Sequence, residues 1–264
     1  MFHFEDEKKF VVNIPRLADD LEKKPVERRL PNGAVVSQIS WTGDDLIKIN
    51  EVYRNTGEFV SSKGKYVLID GAGPAFLFTS ITHACHPASV SISDPKVVEK
   101  EVPVKPIRTV PAEEADNKDV KYEIYKGDNF YLLRTEITSP GGVMDHQKMD
   151  NIRSPDILGK PVVISGRLPH WFTVSLANTY AHKVPWVACH QPGTGATVSI
   201  SHNPDVKLGT IIPNEKITNV LCEQFHGAEK LNSHNPERSL SEDSNVASRA
   251  EARIETKMRL RLSL

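Results

Sequence analysis

Histidines carry most of the chemistry this sequence offers. Ten occur among its 264 residues, and five of them, His83, His86, His182, His190 and His202, fall in two short stretches. An imidazole changes charge near neutral pH, so it serves as general acid, general base or metal ligand. His83 and His86 are three positions apart, which puts them on one side of a helix end, and Asp94 follows in Ser93-Asp94-Pro95-Lys96. Two imidazoles and a carboxylate suffice to hold a divalent transition metal or to form an acid–base pair.

The second chemical feature is a pair of turns. Ile69-Asp70-Gly71-Ala72-Gly73-Pro74-Ala75-Phe76 matches Ile164-Ser165-Gly166-Arg167-Leu168-Pro169-His170-Trp171 position by position. Each Gly-x-x-Pro turn follows an apolar strand and opens a helix, whose first N–H groups lack intrahelical partners and suit an anion. Arg167 adds a planar donor fork matched to phosphate. Allowing one inserted residue beyond the helix, His86 aligns with His182 and Asp94 with His190. His202, in Ile200-Ser201-His202, has no counterpart in the first copy.

The elements that position these groups read as a repeat. Val35–Ile39, Tyr66–Ile69 and Ser89–Ile92 are strand candidates, with a helix from Ala75 to His83 after Pro74. Downstream come strands at Tyr131–Arg134 and Val162–Ile164, a helix from His170 to Tyr180, and strands at Trp186–Ala188 and Ala196–Ile200. The expected fold is α/β, with two repeated small modules, each a short mixed sheet with one prominent helix after a Gly-x-x-Pro turn. Their bounds are 34–104 and 120–226. Residues 1–33 read as a charged extension in which Phe10-Val11-Val12 adds an edge strand. Residues 105–119 read as a proline-rich linker, and 227–264, without aromatic residues, as a disordered tail with a basic helix near Ala247–Leu262.

Charge narrows the partners. Lys and Arg number 33 against 34 Asp and Glu, a formal charge of −1, so the molecule has no global field for coating a nucleic acid. A small anion held by one Arg and backbone N–H groups remains compatible. No apolar run reaches the roughly 18 residues of a membrane span, and no signal peptide opens the chain. Three scattered cysteines indicate neither a disulfide framework nor a thiolate zinc site, which fits a reducing cytoplasm. The sequence carries no phosphate-binding Gly-x-x-x-x-Gly-Lys loop, no His-Glu-x-x-His helix and no Gly-x-Ser-x-Gly elbow.

The run Val162–Trp171, followed by Leu176–His182 and Ser201-His202, resembles the third family of CRISPR-associated ring nucleases. In that family a strand ending Ile-Ser-Gly-Arg-Gly-Pro enters a helix near a Trp, the helix ends in two histidines, and a later strand ends in Asp-Pro-Arg before a Ser-His pair. The second copy here has Asn178 for the first histidine and His190 for the aspartate. The first copy keeps His83, His86 and Asp94-Pro95, with Lys96 for the arginine and Ala72 at the loop arginine.

The resemblance spans the two repeats, whereas family members are usually single copies. It implies a Mn²⁺-dependent phosphodiesterase that cleaves cyclic tetra-adenylate, the second messenger of type III CRISPR defence, between associated subunits. On that reading His83, His86 and Asp94 hold the metal, and His86, Asp94, His182 and His202 are catalytic. Gly71, Gly73, Lys96, Gly166, Arg167 and His190 contact the cyclic oligoadenylate, around which a homo-oligomer forms. The alternative is a non-catalytic protein that binds or sequesters the nucleotide, since each copy lacks a residue the other retains.

Overall fold

The computed structural model describes residues 2–6, 9–29, 32–56, 65–97 and 100–222. Two mixed sheets organise the chain. The first contains β1 (Phe2–Asp6), β2 (Lys9–Asn13), β5 (Tyr66–Asp70), β6 (Ser89–Ser93) and β7 (Glu101–Pro103), in that spatial order. Strands β2, β5 and β6 are parallel, with β1 and β7 antiparallel on the flanks. The second contains β9 (Val120–Lys126), β10 (Tyr131–Ile137), β12 (Val162–Ser165), β13 (Trp186–Gln191), β14 (Gly195–Ser201) and β15 (Ile211–Ile212). There β10, β12 and β13 are parallel, with β9 and β14 antiparallel beside them. The two sheets therefore share one order of strands and directions, with β15 added to the second.

Two helices lie between the sheets. Helix α3 (Ala75–Ala84) leaves β5 through Gly71–Pro74, and α5 (His170–Tyr180) leaves β12 through Gly166–Pro169. All seven residues from Phe76 to Thr82 are buried, as are nine of the eleven in α5. A helix apolar on every side must be covered on every side. The cover is reciprocal: α3 packs on α5 and on β13 and β14 of the second sheet, and α5 reaches β6 of the first. One core results, joining Val67, Ile69 and Ile92 to Phe78, Trp171, Ile164 and Val187. A second cluster, with Val163, Ala188 and Val198, fills the far face of the second sheet under Ile217 and Val220 of helix α6 (214–222).

Several sequence expectations need correction. Phe10-Val11-Val12 is not an edge strand, because β2 pairs with β1 on one side and β5 on the other. Phe10 and Val12 are buried, so residues 1–33 supply part of the first sheet and its helix α1 (Ile14–Asp20) instead of a mere extension. Val35–Ile39 is a strand, β4, but it pairs only with β3 (Pro25–Arg29) in a separate and largely exposed hairpin. Its polar Ser37 and Gln38 and its charged neighbours Glu27, Arg28 and Arg29 keep it out of a core position.

Helix α2 (Gly43–Thr56) follows that hairpin and was not legible as a helix, since Leu46 and Ile49 are its main buried apolar anchors. Asp45, nearly buried, joins it to Lys23 with Nζ to Oδ2 at 2.6 Å and accepts from the Thr42 N–H at 2.7 Å. The expected linker is also ordered. It contains β8 (Arg108–Val110), parallel to β11 (Arg153–Pro155), and α4 (Ala112–Ala115), anchored by buried Ile107 and Ala115. The Ile107 N–H donates to Thr179 Oγ1 of α5 at 2.7 Å. The expected disordered tail lies outside the described residues. Among the described residues no helix is long and apolar enough to cross a membrane.

Candidate functional site

Each Gly-x-x-Pro turn is built so that only glycine fits its first position. Gly71 has φ 112° and Gly166 φ 149°. A Cβ on Gly166 would stand 2.2 Å from the Thr135 carbonyl oxygen, and one on Gly71 2.6 Å from Pro15 Cδ. The two turns converge because α3 and α5 pack side by side. Between them lies a cavity of about 250 Å³ lined by Pro74, Ala75 and Phe76 from one and Gly166, Arg167 and His170 from the other. β13 closes the remaining side with Cys189, His190 and Gln191, whereas the expected contacts Gly71 and Gly73 do not line the cavity and pack instead against Ile14 and its neighbours.

Arg167 is exposed at the rim, and no partner is recorded for its guanidinium among the described residues. His170, a site residue that sequence reading missed, begins α5 and stacks on Phe78 with ring centroids 4.5 Å apart and 13° between planes. Its Nδ1 is buried without a hydrogen-bond partner. Burial pushes its pKa below the usual histidine value, and the Asp94 charge opposes that shift. The only signal available was its alignment with Ala75, which marks it as the first helical residue facing the turn. The pKa of His190 is likewise lowered by burial, against the hydrogen bond that its ring makes to the Asn214 side-chain oxygen.

The histidines at the other ends of the helices also come together. Ring centroids of His83 and His182 are 5.7 Å apart, those of His83 and His202 5.3 Å, and those of His182 and His202 5.4 Å. His86 stands 5.7 Å from His182. His86, His182 and His202 are exposed and His83 half-buried, so the cluster opens to solvent. The residues come from both halves of the chain: His83 from the last turn of α3 and His86 just beyond it, His182 from just beyond α5 and His202 from beyond β14.

This arrangement divides the expected site in two. Asp94 lies past the far end of β6, beside His170, whereas His86 precedes that strand. Five strand residues carry the chain about 16 Å across the sheet. The set His83, His86 and Asp94 is therefore not assembled, and its fit to Mn²⁺ fails within one chain. Among the described residues no group of three or more His, Cys, Asp or Glu side chains is placed to hold a metal ion. The Asp94 carboxylate instead accepts the Lys96 backbone N–H at 2.9 Å, which closes a turn and leaves the Lys96 side chain exposed.

The chain thus has an anion-suited edge, lined by Gly166, Arg167, His170 and His190, and a histidine cluster one helix length away. The ten residues of α3 account for about 15 Å of that separation. Residues 137–213 match the family model described as CRISPR-associated protein (Cas_csx3). The matched segment covers less than half of the chain but holds the second turn, Arg167, His182, His190 and His202. It supports an association with CRISPR systems.

Proposed function

We propose that the protein binds a cyclic oligoadenylate, cyclic tetra-adenylate in the first place, at the edge where the two Gly-x-x-Pro turns meet, and that the histidine cluster cleaves it. The convergence of two helix N-termini around one cavity, with the Arg167 guanidinium at its rim, carries this reading. Two positive helix ends and a charge-assisted donor suit successive phosphates of a small ring. In the cleavage step a neutral imidazole accepts the proton of the attacking 2′-hydroxyl or water, and a protonated one donates to the leaving oxygen. Four neighbouring histidines, with ring centroids 5.3 to 5.7 Å apart for the closest pairs, place more than one imidazole within reach of a single reacting group.

Because the two regions lie at opposite ends of the helices, the histidines that reach the bound ring belong to a second copy stacked head to tail. Such a heterologous contact forms rings or filaments. The same separation favours a second reading, in which a single chain binds and sequesters the nucleotide without cutting it. Radiolabelled cyclic tetra-adenylate, incubated with increasing protein with and without Mn²⁺, tests both. Cleavage whose specific rate rises with protein concentration supports the stacked enzyme. Tight binding without turnover at any concentration supports the sequestering protein, and absence of binding refutes both.

A further inference from the structure

Beside the cavity the second sheet and the helix that covers it bring Ser165, His190 and Asn214 together. Ser165 ends β12, His190 lies near the end of the neighbouring β13, and Asn214 begins α6. Ser165 Oγ is 2.8 Å from His190 Nδ1, and His190 Nε2 is 3.2 Å from Asn214 Oδ1. An amide oxygen only accepts, so Nε2 carries the hydrogen and donates it in a hydrogen bond to Asn214 Oδ1. That tautomer leaves Nδ1 as the acceptor for the Ser165 hydroxyl proton. Hydroxyl, imidazole and orienting oxygen then stand in the order of an activated nucleophile.

Ser165 is half-buried at the end of its strand, on the face of the sheet opposite Ile164; it does not itself line the cavity, which it meets through its partner His190 and its neighbour Gly166. The sharp turn at Gly166 follows the serine immediately and leads to the N-terminus of α5, whose dipole favours an oxyanion. Burial, the larger influence on His190, lowers its pKa and so favours the neutral ring that a base requires. The charged side chains carried by the elements around it are Arg167 after β12, Arg134 opposite Ser165 on β10, Glu123 beside Arg134, and Glu215 and Lys216 on α6.

From this geometry we infer that Ser165 is a nucleophile activated by His190, with Asn214 as a positioning residue, and that the cavity edge hydrolyses small carboxylic esters, an activity separate from nucleotide cleavage. In the first half, Ser165 Oγ attacks the carbonyl carbon while its proton passes to His190 Nδ1. The C–O bond to the alcohol breaks, and His190 returns the proton to the leaving oxygen, giving acyl-Ser165 and free alcohol. In the second half, water gives a proton to His190 and its oxygen to the acyl group. The bond to Oγ then breaks, the proton goes to Oγ, and the carboxylic acid leaves. Ester and water are consumed, and acid and alcohol are formed.

The test uses the full chain without nucleotide, so its outcome is independent of the nucleotide reading. A fluorophosphonate probe is followed by peptide mass spectrometry, and p-nitrophenyl butyrate by absorbance. The expected result is one adduct on Ser165, absent in Ser165→Ala, and a burst of one p-nitrophenolate per chain. His190→Gln should slow labelling about a hundredfold, the usual loss when a general base is removed. Asn214→Asp keeps a residue suited to a helix start and places a carboxylate beside the imidazole. It should move the midpoint of the labelling pH profile upward, which a merely structural Asn214 would not do. No adduct on Ser165, or labelling unchanged in His190→Gln, overturns the inference. Where His190→Gln fails to fold, an unmoved midpoint in Asn214→Asp overturns it equally.

Discussion

Arg167 is the residue on which nucleotide binding is most directly testable. Its guanidinium stands at the rim of the cavity without a recorded partner among the described residues, so removing it leaves no buried charge behind. An Arg–phosphate contact contributes about 1.5 to 3 kcal/mol, and Arg167→Ala should weaken cyclic tetra-adenylate binding roughly ten- to a hundredfold with an unchanged melting curve. Titration calorimetry checks the first part and circular dichroism the second. His170 makes a prediction about pH. Burial lowers its pKa in the folded state below the ordinary 6.5, so on acidification the unfolded chain takes up a proton before the folded chain does. Stability is therefore full above about pH 6.5 and falls as pH drops below it. His190 adds to the same slope. His170→Phe keeps the stack on Phe78 and removes one titrating group, so its denaturation midpoints should fall less steeply than the wild type's between pH 7 and pH 5.

At the scale of elements, the helix pair joins the two sheets. Phe78 is fully buried on α3 and is the ring against which His170 of α5 stacks. Phe78→Ala removes a large apolar side chain from a core that cannot collapse freely, at a cost of about 3 to 5 kcal/mol, read as a lowered denaturant midpoint. The turns are held by backbone geometry as much as by packing. Gly166→Ala would force a side chain into positive φ and against the Thr135 carbonyl, so it should destabilise the protein and displace Arg167 together. Loss of binding that exceeds that of Arg167→Ala would be its signature in the same titration.

At the scale of the whole molecule, the anion-suited edge and the histidine cluster lie at opposite ends of one chain. A variant lacking Arg167 keeps its histidines, and a His182→Ala, His202→Ala double variant keeps its binding edge. If cleavage requires one end of each of two copies, each variant alone should lose cyclic tetra-adenylate hydrolysis and an equimolar mixture should regain part of it. Recovery measured by thin-layer chromatography supports the stacked enzyme. A mixture as inactive as its components, with binding intact in the double variant, supports the sequestering protein.

The sequence by itself determined the chemistry at hand and the local frames that carry it. Apolar runs located β5, β6, β10, β12, β13 and β14, proline placed the starts of α3 and α5, and the matching turns around Gly71 and Gly166 picked out the anion-suited edge. Local signals work there because strand and helix periodicity are written in neighbouring residues. Tertiary structure decided which elements meet. Eight positions separate His86 from Asp94, and only the direction of β6 shows that they end on opposite edges. β2 and β4 both read as strands, yet burial of Phe10 and Val12 gave β2 the place inside the sheet and left β4 to a hairpin. Ser165, His190 and Asn214 are about 25 positions apart in succession, and β12, β13 and α6 bring them within hydrogen-bond reach. Spacing along a chain limits which side chains share one element, whereas contacts between elements follow from how apolar faces are covered. That covering is a property of the whole core and not of any one segment.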